Sequence, residues 1–183
     1  MHKYITKSLL TLTALMSCGL ALAQPATQSN EQFYVEGGYA WMTYTDSGYS
    51  TTPGVGSVRF GANMNKNLAI EGMLGTTLND GSITYQGTAI SIQLKNVFGM
   101  YLKAKTELSD NFEVFAKLGA TRATVSASSY YGSAWSTGSS VSYGIGAQVN
   151  LNKSVYASVD YMSYYDRNNI TAKGPSIGIG VKF

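Results

Sequence analysis

From Phe33 to the last residue, Phe183, apolar and polar positions alternate with few interruptions. The run Ser140 to Leu151 is the clearest case: Val141, Tyr143, Ile145, Ala147, Val149 and Leu151 share one parity, and Ser142, Gly144, Gly146, Gln148 and Asn150 the other. A period of two places these sets on opposite faces of a strand. The same pattern predicts eight strands: Phe33 to Thr45, Gly54 to Asn65, Leu68 to Leu78, Ser91 to Leu108, Phe112 to Val125, Ser140 to Leu151, Val155 to Asp166, and Gly174 to Phe183. No window of a dozen residues favours helical spacing.

The connections alternate between two kinds. Asn65-Lys66-Asn67, Ser109-Asp110-Asn111 and Asn152-Lys153-Ser154 are short polar turns of residues that tolerate tight geometry. The segments around Asp46 to Pro53, Asn79 to Ile90, Ser126 to Ser139 and Arg167 to Lys173 are longer and rich in Gly, Ser, Thr and Tyr. In a closed up-and-down sheet, strict alternation gathers the short turns at one end, with both chain ends, and the long loops at the other. The expected fold is therefore all-β, a closed eight-stranded antiparallel up-and-down barrel.

Alternation alone leaves open which face points inward. A soluble lipocalin-type barrel would turn the apolar face in; a transmembrane barrel would turn it to lipid. Composition favours the second. Charged residues make up only 13% of the 183 residues, about half the usual share. Aromatic residues gather near strand ends (Phe33, Trp41, Tyr44, Phe112, Tyr161, Tyr164, Tyr165, Phe183), where a bilayer interface would lie. Past residue 23 no apolar run approaches the roughly 20 residues of a spanning helix, so any crossing is made by strands.

Residues 1–23 read as a cleaved secretory signal: a basic start (His2, Lys3, Lys7), an apolar run from Leu9 to Leu22, and Ala21-Leu22-Ala23 before Gln24. Cys18 is the only cysteine. Its setting, Leu15-Met16-Ser17-Cys18, admits lipid acylation, but the apolar run continues past it and removal with the leader is the reading taken. Residues 24–32 read as a short polar periplasmic tail, and residues 33–183 as the barrel domain. Without Lys3 and Lys7 there remain 11 basic against 10 acidic residues, a balance that gives no electrostatic case for nucleic acid.

With eight strands and a terminal phenylalanine, the chain resembles the small outer-membrane β-barrel family typified by OmpX and the OmpA transmembrane domain. The final strand is similar to that family's assembly signal, polar-x-Gly-x-x-apolar-x-aromatic, with Ser176, Gly178, Val181 and Phe183 in those places. The resemblance implies a monomeric porin-family envelope protein of a Gram-negative cell outer membrane. Its implied partners are outer-membrane lipid and lipopolysaccharide, the barrel-assembly machinery and a possible host or surface ligand.

Enzymes among outer-membrane barrels resemble one another in using histidine as a base, and the sole histidine, His2, lies in the leader. No catalytic, metal or cofactor site is expected. More telling are the charges whose parity points them inward: Glu36, Arg59, Glu71, Lys95, Lys103, Lys105, Glu113, Lys117, Asp160 and Lys182. Symmetric closure at the Ser109 turn places Lys103 opposite Lys117, so acids such as Glu71 or Asp160 must reach between them. A lumenal network of Glu36, Arg59, Glu71, Lys103, Lys117 and Asp160 follows. It reads either as a polar plug or as a narrow porin-like path for ions or small solutes. In the longest loop, Tyr130, Tyr131 and Trp135 lie among Ser, Gly and Thr, a mixture suited to adhesion or to resting at the outer interface. The functional expectation is non-enzymatic support of the envelope, or surface interaction through the loops, with a narrow channel as the alternative.

Overall fold

The computed structural model describes residues 32–46, 48–85, 88–130, 132–167 and 169–183. The leader and nearly all of the tail lie outside the described residues. The strands are β1 (Phe33–Trp41), β2 (Thr43–Asp46), β3 (Tyr49–Thr51), β4 (Gly54–Asn65), β5 (Leu68–Asn79), β6 (Gly81–Tyr85), β7 (Thr88–Ser109), β8 (Phe112–Ser129), β9 (Gly132–Asn150), β10 (Val155–Arg167) and β11 (Ile170–Lys182). Eight staves form the barrel, in the order β1, β4, β5, β7, β8, β9, β10, β11, and β11 returns to β1. Every pairing is antiparallel. β2 continues the first stave past a break at Met42, whose amide bonds the Pro53 carbonyl at 3.1 Å.

The seam closes where the last strand meets the first, running from Tyr34↔Lys182 to Ala40↔Ser176. Two backbone bonds finish it: Phe33 N donates to Phe183 O at 2.9 Å and Phe183 N to Phe33 O at 2.8 Å. Their rings lie 6.3 Å apart on the outside. Closure leaves no unpaired edge around the wall, a condition that lipid imposes because it offers no hydrogen bonds.

The faces are unambiguous. Ile145 is 69% exposed and Ile179 63%, whereas Arg59 is 2% and Glu71 1% exposed. The apolar face is the outer one, so the lipocalin-type alternative falls. Two of the short turns share one device, an Asn side chain accepting two backbone amides: Asn65 from Asn67 and Leu68, Asn152 from Ser154 and Val155, at 2.8–2.9 Å.

Three expectations need correction. First, the long loops are mostly strand: Ser126 to Ser139 belongs to a hairpin in which β8 and β9 pair up to Ser129↔Gly132. Gly, Ser and Thr signalled turns, yet here they extend a ladder whose neighbours supply the pairing. Second, Lys95 does not face the lumen. A bulge between Leu94 and Asn96 inserts one residue and reverses the phase, leaving Lys95 exposed and Leu94 buried. Third, Tyr164 is no interface aromatic: it is buried in the lumen, and Tyr44 and Tyr165 pack against the same interior cluster.

Candidate functional site

Eight staves enclose a lumen just wide enough for side chains to fill, and this one is filled in layers. The middle layer is ionic. Arg59, on β4, is central: its Nη1 lies 2.6 Å from Glu36 Oε1 and 3.0 Å from Asp160 Oδ2, its Nη2 donates to Ser176 Oγ at 3.0 Å, and its Nε is 4.0 Å from Glu71 Oε1. Ser176 passes the contact on by donating to Asp160. Lys117 Nζ bonds Glu71 Oε1 at 2.7 Å and sits 3.6 Å from Asp160 Oδ2. Tyr34 donates its hydroxyl to the other Glu71 oxygen at 2.9 Å.

Lys103 does pair directly with Lys117 across β7 and β8. The two cations part to different acids. Lys117 takes Glu71 and Asp160, while Lys103 turns toward the short-turn end, 3.6 Å from Glu113 and 3.2 Å from Gln148 Oε1. Both ammonium groups lie over the Phe115 ring, at 4.2 Å for Lys103 and 5.0 Å for Lys117, where the π face offsets part of their desolvation. Lys105 adds a second contact to Glu113 at 3.5 Å, and Lys182 bonds Asn150 at 2.9 Å. This lower layer finishes the polar fill near the turns.

Toward the long-hairpin end the lumen changes character. Above a hydroxyl relay of Tyr101, Thr121 and Ser142, with links of 2.7 and 2.9 Å, lies a buried apolar cluster of Met42, Val55, Met73, Leu94, Val97, Met162 and Tyr164 with small Ala residues between. Sequence reasoning missed this layer. Its members carry inward parity, but each strand contributes only one or two of them, and Leu94 enters through the bulge. A count of inward apolar residues within a few positions of each long hairpin is the signal that would have found it.

Beyond the wall the sheet splits. β9 pairs with β10 only as far as Tyr143↔Ser163, and β5 with β7 only as far as Gly75↔Val97. A hydroxyl bridges each opening: Ser140 Oγ bonds the backbone of Asp166, and Thr77 Oγ1 bonds the backbone of Leu94. Between the openings β6, β7, β8 and β9 rise as one flap. Among the described residues no strand pairs with the β9 side facing away from β8 above Tyr143. Trp135 sits on that strand, 77% exposed, and Tyr130 at the hairpin tip is 94% exposed. Tyr131 lies outside the described residues. In β11, Ser176 and Gly178 face the lumen and Val181 and Phe183 face out. Among the described residues no group of His, Cys, Asp or Glu could hold a metal ion.

A family model for the outer membrane protein beta-barrel domain matches residues 10–183. The chain belongs to this family. Solved structures with the same fold include Ail, the attachment invasion locus protein of Yersinia pestis, at 16% identity and TM-score 0.65, covering 85% of this chain and all of that one. Neisserial surface protein A is similar at 14% identity and TM-score 0.66, over 82% of this chain and 97% of its own. The N-terminal barrel domain of Pseudomonas aeruginosa OprF is similar at 8% identity and TM-score 0.63, over 85% and 100%. A search of curated protein sequences finds no match. Family membership assigns the apolar belt to the outer membrane, with the hairpin flap at the long-loop end.

Proposed function

We propose that the protein is a non-enzymatic surface-interaction barrel: the wall anchors it in the outer membrane, the filled lumen stiffens it, and the hairpin flap meets extracellular partners. The open edge of β9 carries this reading. Ser133 to Ser139 contains no Pro and no charge, the features by which natural edge strands discourage pairing. An edge left so receptive suits β-addition by an extended segment of another protein, with main-chain bonds for affinity and Trp135 for grip. The similar Ail barrel is named for attachment and invasion, which supports a role of the same kind.

The test is adherence of cells carrying this barrel to host cells or matrix proteins. Ser136→Pro with Thr137→Lys blocks the edge without touching the wall. The expected result is loss of most adherence at unchanged surface level; full adherence by the variant would end this reading. The lumenal charges are assigned to stability, and Ser176, Gly178, Val181 and Phe183 to assembly.

A further inference from the structure

The open edge of β9 has a symmetry of its own. Asn150 N bonds Asn111 O on the β8 side, Leu151 N bonds Val155 O on the β10 side, and the β8–β9 ladder runs to its tip without a bulge. In an antiparallel sheet, successive residues turn their backbone groups to alternate sides of the strand. Ser133, Trp135, Thr137 and Ser139 thus turn theirs to the unpaired edge. Below them the Ser140 hydroxyl, clasped to the Asp166 backbone, ends the accessible stretch. The four residues are evenly spaced about Ser136, and no charge lies between them. Two such edges can meet without the repulsion that like charges placed opposite one another would bring.

We infer that this edge, on which the function proposed above also rests, pairs with the same edge of a second copy of the chain, antiparallel about a two-fold axis at Ser136. In that register Ser133 of one copy faces Ser139 of the other, and Trp135 faces Thr137. Both are pairs whose amides and carbonyls point at each other, so every main-chain group of the edge is bonded. A cavity of about 540 Å³, lined by Ser139, Tyr143, Asp166 and Arg167 among others, gives the tip of the other hairpin room beside Ser139. The two Trp135 rings become diagonal neighbours on the outer face, about 7–8 Å apart and within reach of each other. Trp135, 77% exposed in one copy, gains a partner.

The axis decides where the second copy stands. Antiparallel edge pairing takes a two-fold axis perpendicular to the sheet, and because the flap continues the barrel wall, that axis lies in the plane of the membrane. Rotation about it inverts the copy and sets its wall in a second, facing membrane. A copy in the same membrane would need parallel pairing at equal height, where β10 already occupies that side of β9 from Tyr143↔Ser163 downward. Self-pairing by this edge joins two cells. At about 3.4 Å per residue, the five residues from Val141, the last outward aliphatic of β9, to Ser136 hold the two apolar belts within roughly 34 Å. Each contact is short, and many copies on facing surfaces add by avidity.

The test uses cells displaying the full barrel in a Cys18→Ser background, Cys18 being the only native cysteine. Two populations, grown apart with different epitope tags, are mixed under oxidising conditions, and a gel band that shifts with boiling confirms folding of each variant. Ser136→Cys faces its own copy across the axis at the close spacing of about 4.5 Å between Cα atoms, inside the range a disulfide bridges. Ser133→Cys does not face itself but meets Ser139→Cys of the other population. The expected result is a two-tag dimer for Ser136→Cys and for the mixed Ser133→Cys and Ser139→Cys populations, and none for Ser133→Cys alone. Wild-type cells are expected to settle together, and cells with Ser136→Pro/Thr137→Lys to stay dispersed. No Ser136→Cys dimer, equal yield from Ser133→Cys alone, or dimers only within one population overturns the proposal. A missing dimer beside host adherence that the edge variant abolishes sinks self-pairing and leaves the function above standing. A two-tag dimer beside host adherence that the edge variant leaves intact keeps self-pairing and ends the host reading.

Discussion

Arg59 shows what one buried residue demands of its surroundings. A guanidinium in the lumen needs acids and hydroxyls around its planar fork, and four strands supply them: Glu36 from β1, Glu71 from β5, Asp160 from β10 and Ser176 from β11. Removing the cation leaves buried carboxylates underpaired, with Glu36 losing its only ion pair among the described residues. Such a broken pair costs about 3–5 kcal/mol. Arg59→Met is therefore expected to lower the urea midpoint of the barrel in lipid vesicles markedly, and Glu36→Gln added to it to recover part of the loss. A single variant as stable as wild type would show that the cluster contributes nothing. Parity named these residues from the sequence because alternation fixes which face each occupies. It could not name which acids meet Arg59, which depends on the register between strands far apart in the chain. Lys95 shows the limit of parity, since one inserted residue reverses it.

Strands can have two reasons for the same residue, and β11 separates them. Gly178 fits the assembly pattern, yet it also lies directly beneath the Glu36 carboxylate: a Cβ there would meet Glu36 Oε1 at 2.6 Å and Ser158 Oγ at 2.8 Å. Gly178→Val thus displaces Glu36 from Arg59, an overpacking expected to cost about 1–3 kcal/mol. Phe183 touches only the Phe33 ring from outside among the ring contacts described. For Gly178→Val, both the yield of folded barrel in cells and the unfolding midpoint of the purified protein are expected to fall. For Phe183→Ser, yield is expected to fall while the midpoint of protein refolded in detergent stays close to wild type. If Phe183→Ser lost equal stability in vitro, the terminal aromatic would be structural and not a signal. The hairpins were less legible than the strands of the wall. Glycine, serine and threonine in β9 carry no alternation of hydrophobicity because both faces of the flap meet water.

Across the whole molecule, the order of layers in the lumen bears on whether ions pass. A polar interior rich in glycine was compatible with a narrow path, and the ionic layer alone would not forbid one. The apolar layer does more, because the side chains of Met42, Leu94 and Met162 buried there offer no strong polar group to replace an ion's water. It stands at the long-hairpin end, so a solute entering from that side meets it before the buried ionic layer. Single-channel recording in planar bilayers is expected to give no steady conductance for wild type, and none for Lys103→Glu, which alters only the layers beneath. Met42→Ala with Tyr164→Ala opens the upper layer and is expected to yield brief openings without restoring a selective path, because Arg59 and its acids still fill the section below. Reproducible wild-type conductance that changes with Lys103→Glu would reverse the assignment and make the lumen, not the flap, the working part.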